Sequence, residues 1–130
     1  MPSTPITLTD AEWAIIQAVW SLEPCPAPTV QEHLQHDRNW TYSTVRTLMD
    51  RMVQKRLLSA ERLRNLTLYR SAVTREQAQR AELLTARKRA FNGALAPMFQ
   101  CLLDVGSLSR DELEEVEQLI RAKRQQNRKK

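Results

Sequence analysis

Apolar residues recur with a helical period at the start of the chain, and the first run has a marked beginning. In Leu8-Thr9-Asp10-Ala11-Glu12-Trp13, Thr9 is a natural N-cap and Glu12, three residues on, completes a capping box. Leu8 and Trp13 stand where a hydrophobic staple would form. Trp13, Ile16 and Trp20, with Val19 beside them, then give one buried face. Pro24-Cys25-Pro26-Ala27-Pro28 ends this helix and starts a second, about residues 29–35, because proline cannot donate inside a helix but suits a first turn. Val30 and Leu34 are its inward positions. A third helix, about residues 41–55, carries Val45, Leu48, Met49, Met52 and Val53, the spacing of a core-facing stripe. Ser43, Thr47, Asp50 and Gln54 lie opposite, flanked by Thr44, Arg46 and Arg51.

The period then shortens. Residues 57–62 and 66–72 read as two short strands around Leu63-Arg64-Asn65, where Asn65 is the residue that readily accepts the positive φ of a hairpin turn. Helical spacing returns after a second capping box, Thr74-x-x-Gln77, and runs to about Phe91. Asn92-Gly93 interrupts it. A further helix is expected over about residues 94–103. Ser109-x-x-Glu112 is a third capping box, with Leu108 and Leu113 as its staple, and the basic end, residues 125–130, is expected to be a disordered tail. Three helices followed by a basic hairpin is the winged-helix order. The predicted fold is mainly α with a small β wing: a winged helix-turn-helix DNA-binding domain over residues 1–73, then a helical dimerisation region over 74–130.

That second region poses a burial problem. Leu84, Phe91, Leu95, Met98, Leu102, Leu113, Val116 and Ile120, with other apolar residues, lie in short helices. A unit below about 70–80 residues rarely buries so much alone, and oligomerisation supplies the missing partner surface. A homodimer follows, and packing back onto the N-terminal domain is the alternative.

Charge sharpens the picture. The net charge is +5, yet residues 1–40 hold one basic and five acidic side chains while 41–75 hold eight and two. A basic block confined to one stretch suggests an anionic partner docking at one place, and nucleic acid is the usual one. Small hydroxyl side chains at the start of the third helix let it sit deep in a major groove, with Ser43, Thr44 and Thr47 near bases and Arg46 and Arg51 reaching phosphates. Arg62, Arg64 and Arg70 would put positive charge on the wing, beside the DNA backbone.

The remaining chemistry is sparse. Cys25 and Cys101 belong to no Cys-x-x-Cys pair, and the chain has only two glycines, too few for a Gly-rich phosphate loop. His33 and His36, with Cys25 nearby, read as plain surface residues rather than a metal corner, and Cys101 reads as core packing. Trp13 and Trp20 fit the core stripe; Trp40 fits either the core or a stack on bases. No nucleophile with an adjacent base is evident, so the chain is read as a non-enzyme with no cofactor and no metal. Without a signal peptide or a membrane-spanning run it is expected in the cytoplasm, not inserted in a membrane. A protein-only adaptor using the winged-helix surface is the competing function.

Four segments carry a resemblance to a known family: Leu8–Trp13 with Trp20; Asn39-Trp40-Thr-Tyr-Ser-Thr-Val-Arg-Thr-Leu48; Arg51-Met-Val-Gln-Lys55 leading into Leu57-Leu58; and Tyr69. Phe91-Asn92-Gly93 and Leu108-Ser109 add to them. The chain resembles the penicillinase repressors of bacteria. The resemblance implies a homodimeric repressor with winged-helix domains on a short palindromic operator of double-stranded DNA, and an intertwined three-helix dimerisation module. It carries base and phosphate contacts onto Ser43, Thr44, Arg46 and Thr47. Family members often have lysine where Ser43 stands, and glycine where Arg56 stands. Release by a membrane-bound sensor protease, also implied, would cut at Cys101-Leu102. The copper-responsive branch's Cys-x-Cys motif has no counterpart in residues 104–130.

Overall fold

Capping chemistry sets where the helices begin. In the computed structural model, which describes residues 6–128, α1 (Asp10–Leu22) opens on Thr9: the Glu12 amide donates to the Thr9 hydroxyl at 3.2 Å and the Thr9 amide to the Glu12 carboxylate at 2.9 Å. The same reciprocal pair, Thr74 with Gln77 and Ser109 with Glu112, opens α4 (Arg75–Phe91) and α6 (Arg110–Arg128). Between them lie α2 (Ala27–His33), α3 (Tyr42–Gln54), β1 (Leu58–Leu63), β2 (Leu66–Ser71) and α5 (Leu95–Val105).

β1 and β2 pair antiparallel, with Leu58 opposite Ser71 and Leu63 opposite Leu66, so Arg64 and Asn65 make a two-residue turn. The positive φ falls on Arg64, at 57°, and not on Asn65 as the sequence suggested. A turn with its left-handed residue in the first central position is one of the two tight hairpin turns whose twist matches the strands, and position overrode residue preference. A second left-handed residue, Arg56 at φ 66°, ends α3 and turns the chain into β1.

The core is a contiguous cluster from all three N-terminal helices and the hairpin. Ile15, Ile16, Val19, Val30, Val45, Met49, Met52, Leu58 and Tyr69 are fully buried or nearly so. Trp13 and Trp20 pack at its edge, half-buried, with ring centroids 6.2 Å apart in an edge-to-face pair. Cys25, expected at the surface, is buried: its amide and carbonyl pair with those of Tyr69 at 3.1 and 2.8 Å, tying the α1–α2 connection to β2.

The chain divides into two compact units, one ending at Thr85 and the other beginning at Ala86. The first therefore extends past the break drawn at residue 73, and the reason is local. The Trp20 indole N–H donates to the Val73 carbonyl at 3.1 Å, the Arg75 guanidinium lies 4.7 Å from the Trp20 ring, and Ala78 is buried. In the second unit, Asn92 and Gly93 both take positive φ, and the Arg87 Nε donates to the Gly93 carbonyl at 2.8 Å. No residue of α5 or α6 is buried. Cys101, expected in a core, is consequently exposed. Residues 125–128, expected as disordered tail, continue α6; Lys129 and Lys130 lie outside the described residues.

Candidate nucleic-acid interface

The start of α3 is a small hydroxyl cluster. Thr41 is the N-cap, its side chain accepting from the Thr44 amide at 3.2 Å and hydrogen-bonding the Ser43 and Thr44 hydroxyls at 3.2 and 3.1 Å. Ser43, Thr44 and Thr47 are exposed, while Val45, Met49 and Met52 hold the opposite side of the helix in the core. The first turns of α3 thus present short polar side chains to solvent, a surface suited to base edges and phosphates. Arg51 is exposed further along. Arg62, Arg64 and Arg70 are exposed on the hairpin, with Arg64 at its tip.

Arg46 differs from these. Its Nε donates to both Asp50 carboxylate oxygens at 3.3 and 3.2 Å, and its Nη1 to the Tyr42 hydroxyl at 3.2 Å. Asp50 also accepts from the Tyr69 hydroxyl at 2.8 Å. The hydrogen bond to Tyr42, with the charge of Asp50 beside it, pushes the Arg46 pKa up. Burial, then the bond to Asp50, push the Tyr69 phenol up. Reading the sequence placed Arg46 on a flank and Asp50 on the outer face of the helix, but did not join them to each other, to Tyr42 or to Tyr69. The four-residue spacing of Tyr42, Arg46 and Asp50 was a visible signal; Tyr69 comes from another element and left none.

Two carboxylates, one near each end of α1, fix the frame around the site. Lys55, its C-cap, donates to both Glu12 oxygens at 2.8 Å and to the Thr7 carbonyl at 3.3 Å. Burial pushes the Glu12 pKa up, but the bonds from Lys55 and the Thr9 amide outweigh it and the net direction is down. At the other end of α1, the Glu23 carboxylate accepts from the Ser71 amide at 2.8 Å and from its hydroxyl, holding the end of β2. Trp40 is half-buried against the core with the Arg38 guanidinium 5.4 Å from its ring, and Arg38 is paired with Asp10 at 2.9 Å.

His33 and His36 are exposed, and Cys25 is engaged with β2; no group of three metal-binding side chains occurs among the described residues. No helix is long and apolar enough to cross a membrane among the same residues. Of the residues expected to pair two chains, Leu84, Leu95, Leu102, Leu113 and Ile120 are 40–57 % exposed, while Phe91, Met98 and Val116 are half-buried. Leu84 belongs to the first compact unit and the others to the second.

Known proteins resemble this chain along most of its length. The family model for the penicillinase repressor matches residues 8–122. The methicillin resistance regulatory protein MecI of Mammaliicoccus sciuri is 22 % identical over 95 % of this chain and 100 % of that protein. The penicillinase repressor of Bacillus licheniformis is 23 % identical over 95 % of this chain and 94 % of its own. Among solved structures, the solution structure of monomeric Bacillus licheniformis BlaI in complex with the blaP half-operator is 18 % identical, covers 57 % of this chain and 90 % of that one, and has a TM-score of 0.49.

Proposed function

The chain belongs to the penicillinase repressor family, and from that membership and the surface of α3 we propose that it is a sequence-specific DNA-binding transcriptional repressor. It is not an enzyme, and it needs no cofactor to bind DNA. The observation that carries the reading is the pairing of a hydroxyl-rich helix start, Ser43, Thr44 and Thr47, with cations on either side of it, Arg46 and Arg51 on the helix and Arg62 and Arg64 on the hairpin. Short side chains let backbone and hydroxyls approach the base edges, Arg46 stands beside them within reach of bases as well as phosphates, and Arg51, Arg62 and Arg64 neutralise phosphates along the flanks.

It acts as a homodimer in the cytoplasm, each chain reading one half of a short palindromic operator. The apolar surface of α5 and α6 supports this: Leu95, Leu102, Leu113 and Ile120 are 40–57 % exposed on helices with no fully buried residue, an arrangement a single soluble chain rarely keeps. Relief of repression by a membrane-bound sensor protease would act on α5, where the Cys101-Leu102 bond lies in the helix interior and both side chains are exposed. Cleavage there would require that helix to open locally first.

Selection from random-sequence duplexes by the full-length protein, at two salt concentrations, tests the proposal. Enrichment of a short palindrome, with affinity falling steeply as salt rises, is the expected result. Weak binding with no enrichment would overturn it, and the exposed arginines would then serve a protein partner.

A further inference from the structure

Tyr42, Arg46 and Asp50 follow one another at four-residue spacing and form a ridge along α3, and Tyr69 meets that ridge from β2. The hydrogen bonds are continuous. The buried Tyr69 hydroxyl donates to Asp50 at 2.8 Å, Asp50 accepts from the Arg46 Nε at 3.2 Å, and Arg46 donates onward to the Tyr42 hydroxyl at 3.2 Å. The path therefore starts at the buried phenol of Tyr69 on β2 and runs through the Arg46 guanidinium to the exposed Tyr42 hydroxyl.

Helix stability does not account for this arrangement. An acid following a base by four residues is the weaker order for such a pair. An exposed ion pair of this kind adds little to folding. Asp50 also puts a negative charge on the side of α3 where a polyanion would dock. What the carboxylate does provide is direction. Held by the fixed phenol of Tyr69, it restricts a long, rotamer-rich arginine to one orientation before DNA arrives.

We propose that Asp50 and Tyr69 are positioning residues for Arg46, setting the direction of its guanidinium and so the selectivity of α3 for its operator. The inference rests on the DNA-binding reading above. It predicts an asymmetry that a general loss of fold would not produce: removing the restraint should cost discrimination between sequences while leaving attraction to DNA intact or stronger.

The experiment compares the wild type with Asp50→Asn, Tyr69→Phe and Arg46→Ala, measuring affinity for the selected operator and for a scrambled duplex at fixed salt, with a thermal melt for each. Asp50→Asn is expected to bind scrambled DNA more tightly, having lost one negative charge, while the ratio of operator to scrambled affinity falls about five- to tenfold, within the range one oriented arginine contact contributes to base discrimination. Tyr69→Phe should lower the ratio in the same direction with no change in charge or in the salt slope. Asp50 is exposed, so its variant reports even where Tyr69→Phe melts too low to assay. Ratios within twofold of wild type in Asp50→Asn would overturn the proposal, as would a rise in affinity for both duplexes by one common factor. An Arg46→Ala ratio equal to wild type would overturn it too. A wild type with no preference for any sequence would instead sink the repressor reading, and is recognised before any variant is made.

Discussion

Replacing Lys55 with methionine removes the ammonium from the junction of α1 and α3 while keeping most of the side chain's length. The loss has two parts. Glu12, whose side chain is 8 % exposed, keeps only its Thr9 contacts, and the Thr7 carbonyl loses its donor. Breaking a fully buried ion pair costs about 3–5 kcal/mol, because a charge is left without compensation. Lys55 is 44 % exposed, however, so water can replace part of what it supplied, and the discounted expectation is about 1–2 kcal/mol. For a unit of this size that lowers the melting temperature by about 4–16 °C.

The cost should depend on pH. In the wild type the folded-state pKa of Glu12 lies below its ordinary 4.5, so its stabilisation is present above 4.5 and is lost as pH falls through the folded value. In the variant, burial is less opposed and the folded pKa rises, so the penalty of the lone carboxylate is relieved at higher pH than before. The difference between the two proteins should be full at pH 7 and shrink as pH falls, first through the variant's raised folded pKa and then towards the depressed one of the wild type. Trp13, Trp20 and Trp40, the chain's three tryptophans, all lie in the first compact unit, so denaturant melts followed by tryptophan fluorescence report on it alone. A destabilisation equal at pH 7 and pH 3.5, or none at pH 7, would refute the reasoning.

Leu102→Glu, placing a charge on the exposed apolar side of α5, should convert a dimer to monomer in analytical ultracentrifugation while leaving the tryptophan-monitored melt of the first unit nearly unchanged; a variant that still sediments as a dimer would remove α5 from the interface. Cys25 should resist thiol alkylation in the native protein and react only on unfolding, because burial and the nearby Glu23 carboxylate push its pKa up; labelling of native Cys25 by mass spectrometry would contradict its place in the core. Arg64→Ala should weaken binding about equally for all sequences and reduce the salt slope by about one unit or less, and a loss confined to the operator would mean that the hairpin tip reads bases.

The helices were legible because their signals are local. The Thr9/Glu12, Thr74/Gln77 and Ser109/Glu112 boxes each act within one turn, and the stripe from Val45 to Val53 repeats at the helical period, so helix starts and faces could be read directly. What escaped was set by distant partners. Cys25 looks like a surface residue between two prolines until β2 arrives to pair with it. The left-handed residue of the hairpin was given to Asn65 on preference, whereas the register of the strands put it on Arg64. The four-residue spacing of Tyr42, Arg46 and Asp50 was available, but its meaning depends on the Tyr69 hydroxyl, which no sequence period connects to α3. In the second unit the surplus of apolar residues was recognisable from the shortness of the helices, but Cys101, read as core packing, is exposed, because an apolar neighbourhood in sequence does not say which side of a helix is covered.

A lone two-stranded hairpin is marginal in water, and this one is fastened at one end only. Near its open end, Ser71 is bound by Glu23 and Tyr69 by both Cys25 and Asp50. At the closed end, no hydrogen bond from another element of the described residues reaches Arg64 or Asn65. Amide hydrogen exchange should therefore be slow at Tyr69 and Ser71 and fast at the turn. The same gradient makes the turn the place where the chain can be lengthened. Residues inserted between Arg64 and Asn65 would extend the wing's reach without displacing the strand that braces α3, so tip length and helix geometry can vary independently in engineered variants.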